Sequence, residues 1–205
     1  MTTPNQHWNA IFKPKADPEL GWYETDVAQT LKFLDLVPQN DAATIFLPGA
    51  GTSALVDELL SRGSHLILND ISDEALKQLK ERIGSIQDRL TWIHHDISKP
   101  LPCELRQADI WIDRAVLHFL LDEADIDGYF NNLRSTVRPE GHALLAEFSV
   151  TGAPKCAGLD LHRYSVEEMS ERLGAGFDLV RQEEYTFINP SGDPRPYIYA
   201  LFRRK

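Results

Sequence analysis

Apolar and polar positions follow two registers along this chain, and the switch between them recurs. Nearly continuous apolar runs over Thr44–Leu47, Leu66–Asn69, Leu90–Ile93, Ile110–Ile112 and Ala143–Phe148 predict buried strands. Between and after them, apolar residues return every three or four positions over Ser53–Arg62, Ser72–Ile83, Ala115–Leu121, Ala124–Val137 and Ser165–Leu173, which predicts helices. A further helical pattern at Thr25–Leu36 places Val27, Ala28, Leu31 and Leu34 on one face, and Pro38 ends it. Ser72 and Ser165 stand where N-caps belong, and Ser165-Val-Glu-Glu168 has the spacing of a capping box. Strands alternating with helices imply a parallel sheet covered on both faces. The end of the chain breaks the alternation. Phe177–Ile188 and Tyr197–Arg203 are strand-like, and the turn-rich Asn189–Pro196 between them is too short for a crossover helix, so they should pair antiparallel. The expected fold is α/β, a seven-stranded sheet with five parallel strands plus a C-terminal antiparallel hairpin, and helices on both faces. Residues 1–21 are polar and Pro-rich, and Pro14, Pro18 and Gly21 should break any long helix there. Residues 1–38 then form an N-terminal arm and cap helix, and residues 39–205 one domain.

Composition narrows the class. A chain of 205 residues at 42% hydrophobic supports one well-buried core and not two ordinary domains. A formal net charge of −10 argues against nonspecific binding to nucleic acid or an anionic membrane, and Arg203–Lys205 is a short solvated tail. Cys103 and Cys156, far apart, give neither a disulfide framework nor zinc spacing. His94-His95-Asp96 on a strand sends neighbouring side chains to opposite faces, so the three do not converge on an ion and no metal is expected. No apolar run approaches the roughly 18–20 residues of a membrane span, and the first residues lack signal-peptide character. The expectation is a soluble, cytoplasmic, monomeric protein.

The chemistry gathers at one unit. The first apolar run ends in Gly49-Ala-Gly51, a helical pattern begins at once, and the second run ends in Asp70. Strand, glycine turn, helix, strand and acid is how α/β folds hold the nucleoside part of a cofactor. The glycines permit a tight turn and close backbone approach. A carboxylate at the tip of the second strand can accept both ribose hydroxyls.

Together with the expected architecture, this unit resembles the class I S-adenosylmethionine-dependent methyltransferases, whose sheet is Rossmann-like, over residues 40–205. Leu90-Thr-Trp-Ile-His-His-Asp-Ile97 looks like the third strand of that family, whose terminal acid meets the adenine. Ala108-Asp-Ile-Trp-Ile-Asp-Arg-Ala-Val-Leu-His-Phe-Leu120 looks like the fourth strand and the loop beside the transferred methyl. Leu133–Leu145 resembles the passage into the fifth strand, with Glu140 in place of a glycine. The Gly49–Leu55 turn and the Asp113–Leu120 segment look most like small bacterial methyltransferases distantly similar to eukaryotic methyltransferase-like lysine methyltransferases. Trp8 and Gly21-Trp-Tyr-Glu24 match that look. The resemblance implies S-adenosylmethionine as cofactor, held by Gly49, Ala50, Gly51, Asp70 with Ile71, and Asp96 with Ile97. It also exposes a departure: the acid usual two residues before the first glycine, which helps hold the methionine end, is Leu47 here. Asp113 is the preferred substitute, with Glu24 or backbone carbonyls as others.

Three residues are candidates for the reaction itself. His118 has the unperturbed pKa of a general base and otherwise reads as a core histidine packing on Phe119. Arg114 would bind an anionic acceptor or the cofactor carboxylate, or form an ion pair. Asp113 would meet cofactor or substrate. Trp22 and Tyr23 would close over the site, where a ring attracts a sulfonium, or simply pack the arm. Cys156, His162, Arg163 and Tyr164 follow the fifth strand, where the family's substrate often lies. The expected reaction is methyl transfer to a small-molecule acceptor: a thiol, amine, hydroxyl or metalloid. A protein lysine or N-terminal methyltransferase is the alternative. A NAD-dependent oxidoreductase, allowed by the looser Gly49-x-Gly-x-x-Ala54 pattern, and a noncatalytic cofactor-binding module stand behind it.

Overall fold

In a computed structural model, residues 3–13, 17–38, 42–84 and 88–205 are described. Strands β1 (Thr44–Leu47), β2 (His65–Asp70), β3 (Leu90–His94), β4 (Ala108–Arg114) and β5 (Val137–Phe148) run parallel, in spatial order β3-β2-β1-β4-β5. Strand β9 (Pro194–Arg204) pairs antiparallel with β5, and β8 (Phe177–Ile188) pairs antiparallel with β9 at the sheet's edge. The sheet has seven strands with one reversed, as the turn-rich Asn189–Pro196 segment requires. A two-residue hairpin, β6 (Lys155–Cys156) with β7 (Leu159–Asp160), lies outside it.

Side-chain alternation splits the core between the two faces of the sheet. Ile45, Leu47, Ile110 and Ile112 pack with α2 (Ala28–Leu34) and α3 (Leu55–Ser61) on one face. Phe46 and Trp111, their rings stacked at 4.3 Å between centroids, point to the other. There they meet α5 (Glu123–Thr136) and α6 (Val166–Leu173) through Tyr129, Phe130 and Met169. Helix α4 (Asp73–Ile83) is started by Ser72, whose hydroxyl accepts from the Ala75 N–H, and α6 by Ser165 in the same way.

Two elements differ from the sequence pattern. The expected helix at Ala115–Leu121 is a single 3-10 turn, Leu117–Phe119. Ala115 has φ +70°, outside the helical region, and the Val116 and Leu117 N–H groups that follow donate to Asp113. The polar start of the chain contains a real helix, α1 (Pro4–Phe12). Thr3 caps it reciprocally with Gln6, and Pro4 occupies its first turn, where a missing N–H costs nothing. Pro14, expected to break a helix, and the boundary after residue 38 fall at or beside residues outside those described. Helix α1 docks on the start of α4 through Asn9, whose side chain accepts from Ser72 Oγ at 2.6 Å and donates to Asp73 at 2.6 Å. Asn5 adds a bond to the Ile71 carbonyl. The arm is thereby fixed over the C-terminal ends of the parallel strands, where ligands of open α/β sheets bind.

Candidate active site

A cavity of about 580 Å³ opens at the C-terminal ends of β1, β2 and β4, within the size range of small-molecule sites. Its floor is the turn after β1. Gly49 and Gly51 both have φ +52°, in the left-handed region that glycine enters without strain. A Cβ on Gly49 would stand 2.3 Å from Val116 Cγ2, so the loop after β4 closes directly over the turn. Asp70 ends β2 and binds the turn from the side. Its Oδ2 accepts from the Gly51 N–H and its Oδ1 from the Ser72 N–H, both at 2.8 Å. Each oxygen keeps a lone pair for a ligand hydroxyl. Burial raises this carboxyl to about 6, against the pull of those backbone N–H groups.

Asp96 follows β3, and its Oδ1 accepts from the Ser98 N–H at 2.9 Å. Ala50, Ile71, Asp96, Ile97, Trp22 and Arg114 lie along the same wall as the glycines and Asp70. The roof is aromatic and comes from the arm. Trp8 meets Trp22 at 5.5 Å and Phe119 at 4.8 Å between ring centroids, both edge to face, and Phe12 meets Trp22 at 6.0 Å. His7, whose buried Nε2 has no hydrogen-bond partner among the described residues, joins this roof. The sequence pattern missed α1 and with it His7 and Phe12. The Thr3-Pro-Asn-Gln6 capping signal was the legible clue.

Arg114 is held at the inner end of the cavity. Its Nε lies 2.7 Å from Glu24 Oε2, and its Nη1 donates to the Trp22 carbonyl at 2.9 Å. Its guanidinium stands 4.9 Å from the Phe187 ring centroid and 5.1 Å from that of Tyr197. Burial raises the Glu24 carboxyl despite the opposing attraction of Arg114.

Asp113 and His118 are placed elsewhere. Asp113 shares the face of Trp111, is fully buried and does not reach the cavity. Its carboxylate accepts from the Val116 and Leu117 N–H groups and, at 2.5 Å, from the Tyr129 hydroxyl, so it shapes the loop after β4. Burial and the nearby Glu147 push its pKa well above the carboxylate range. His118 is also fully buried, with Nδ1 2.5 Å from Glu147 Oε2 and its ring edge-on to Phe148. Burial drives the imidazole down to about 3 and the Glu147 carboxyl up to about 8, which keeps the pair uncharged at neutral pH. Sealed from the cavity and depressed in pKa, the His118 imidazole is not placed to take a proton from an acceptor there, and neither it nor Asp113 stands where the sequence pattern put it.

In the loop after β5, Tyr164 is buried, and His162 pairs with Glu168 at 2.8 Å. Arg163 donates to the Val150 and Gly152 carbonyls. Cys156 is half-buried, its thiol raised by burial. Of this loop, Leu159 reaches the cavity and those four do not. Among the described residues no group of three or more His, Cys, Asp or Glu side chains is placed to hold a metal ion. No described helix is long and apolar enough to cross a membrane.

The chain matches known proteins along this same region. A family model described as a methyltransferase domain matches residues 48–143, from the glycine turn into β5. Phosphoethanolamine N-methyltransferase 1 of Triticum aestivum is 26% identical over 125 residues, 60% of this chain. The match covers 25% of that protein, so the chain spans a quarter of the length of the curated relative it matches. Among solved structures, an S-adenosylmethionine-dependent methyltransferase of Anabaena variabilis superposes with a TM-score of 0.78 at 16% identity, covering 98% of this chain and 93% of that one. The N-methyltransferase NodS of Bradyrhizobium japonicum, in complex with S-adenosyl-L-homocysteine, gives 0.72 at 15% identity, covering 96% and 97%.

Proposed function

We propose that this chain, which carries a methyltransferase domain and the fold of the class I S-adenosylmethionine-dependent methyltransferases, moves a methyl group from S-adenosylmethionine to a small-molecule amine. The observation that carries the reading is the roofed cavity itself. It joins a glycine turn and a strand-end carboxylate with two spare lone pairs to an aromatic chamber beneath α1. These residues fit the cofactor. Asp70 would take the ribose hydroxyls, Gly49–Gly51 would admit the nucleoside close to the backbone, and Asp96 with Ile97 would border the adenine. When bound, the cofactor supplies an electrophilic methyl on a sulfonium.

The protein's part is to orient, to exclude water and to favour one acceptor. Helix α1 and the Trp8, Trp22 and Phe119 rings close the chamber, and their faces suit a cationic centre. An amine suits the wall better than an anionic acceptor. The charged residues along it are Glu24, Asp70, Asp96, Asp122 and Asp125 against Arg114, which is already paired with Glu24. The N-methyltransferases among the similar proteins support the same acceptor class. No base need act at His118, because the neutral fraction of an amine already carries the lone pair that attacks the methyl, and the methylated ammonium formed can lose its proton to water.

Radiolabelled methyl transfer tests this. The purified protein is incubated with methyl-labelled cofactor and either a panel of small amines, thiols and phenols or size-fractionated cell extract. Label is expected in low-mass amines. Label confined to protein would replace this reading with a protein methyltransferase.

A further inference from the structure

We infer that Glu24 takes over the duty of the acid absent at Leu47, receiving the α-ammonium of the cofactor's methionine end, with Arg114 as its positioning residue. The inference rests on the cofactor reading above. It begins with strand register. Parallel pairing of Ile45 with Ile110 and of Phe46 with Trp111 continues to set Leu47 beside Ile112. Side chains alternate, so Ile45, Leu47, Ile110 and Ile112 share one face, and all four belong to one core cluster. Arg114, two residues beyond Ile112, continues that face. Asp113 points away with Trp111 and spends its oxygens on Val116, Leu117 and Tyr129. Asp113, the substitute preferred from the sequence, is thus on the wrong side of the sheet to stand in for position 47.

The side where an acid is missing holds a buried carboxylate brought by the arm. Glu24 is 9% exposed, lines the cavity together with Leu47, Pro48 and Gly49, and has its Oε2 2.7 Å from Arg114 Nε. A buried carboxylate is retained at such cost only when its charge is met. Arg114 meets it from behind, itself held by the Trp22 carbonyl and the Phe187 and Tyr197 rings. One paired cation leaves acceptor capacity on the carboxylate toward the cavity. An ammonium there would complete a cation–carboxylate–cation row in a chamber where such bonds are strong. The arrangement also ties the arm to the cofactor. Glu24 and Trp22 belong to the segment that roofs the site, so closing the roof and binding the amino-acid end become one event.

The test separates the amino-acid end from the nucleoside. Affinities of S-adenosylhomocysteine and 5′-methylthioadenosine, which lacks that end, are measured by calorimetry for the wild type, Glu24→Gln and Asp70→Asn. Glu24→Gln is expected to weaken S-adenosylhomocysteine about tenfold to a hundredfold, the span of one hydrogen bond to a charged group, and to leave methylthioadenosine within about twofold. Asp70→Asn is expected to weaken both. Equal loss of both ligands in Glu24→Gln, or loss of neither, would overturn the assignment. Wild-type protein that binds neither ligand would instead end the cofactor reading on which it rests.

Discussion

Asp70 serves two partners at once, and this sets what its loss would do. Its oxygens order the glycine turn through Gly51 and the start of α4 through Ser72, while their remaining lone pairs face the cavity. Asp70→Ala is expected to weaken S-adenosylhomocysteine by about 1.5–3 kcal/mol, the worth of hydrogen bonds to a charged group, and an unchanged affinity would remove it from the site. Because burial places its pKa at about 6, affinity in the wild type should fall as pH drops below that value and ribose hydroxyls meet a protonated acid. Glu147 makes the opposite kind of prediction, on stability. Its carboxyl holds a proton up to about 8 in the fold but only to 4.5 when free. Between those values the folded state binds the extra proton, so stability conferred below 4.5 is lost as pH rises towards 8. Glu147→Gln lacks that loss, so the melting temperature of the variant relative to wild type should climb from pH 5 to 9; a constant difference would show Glu147 ionised throughout. Residue identities made Gly49, Gly51, Asp70 and Asp96 legible in the sequence, because a turn and two strand ends announce themselves locally. The direction of Asp113 was not legible. It depends on which face of β4 aligns with which face of β1, and that register exists only once the strands pair.

At the scale of elements, the least expected packing is between α5 and the segment after β3. Gly128 lies inside α5, where helix propensity disfavours glycine by about 1 kcal/mol. The reason is contact: a Cβ there would stand 2.0 Å from the Ser98 carbonyl oxygen, which is backbone and cannot swing aside. Gly128→Ala should therefore destabilise the protein by about 1–3 kcal/mol in denaturant titration, despite the better helix former. A gain in stability would mean that the two elements are further apart than described. Glu140 is the reverse case, a non-glycine residue at φ +65°, partnered by Arg203. Strands and the longer helices were readable because each carries its own period over many residues. Two elements were not. The Ala115–Leu121 pattern has helical spacing, but the backbone at Ala115 takes φ +70°, outside the helical region, and only the 3-10 turn Leu117–Phe119 follows. Helix α1 is short and mixed in character, held by Thr3 and Gln6 at its start, by Asn9 on α4, and by Trp8, Ile11 and Phe12 packing with Leu20, Trp22 and Ala75.

At the scale of the whole molecule, one sheet presents the turn after β1, the tips of β2 and β3 and the end of β4 on a single edge, and the arm covers that edge. The parallel run of strands and its reversed end were legible, because strands alternating with helices pair parallel and the short Asn189–Pro196 link admits only a reversed hairpin. What covers the edge was not, since docking of α1 joins residues some sixty positions apart through side-chain amides that no periodicity marks. The central claim is that this edge binds S-adenosylmethionine and that the glycine turn belongs to a methyl donor, not to a dinucleotide. Calorimetric titration of the intact protein with S-adenosylhomocysteine and then with NAD tests it most directly. Saturable micromolar binding of the sulfur nucleoside, with no heat from NAD, is the predicted result. Binding of NAD without S-adenosylhomocysteine would contradict the account, and the Gly49–Asp70 unit would then belong to an oxidoreductase.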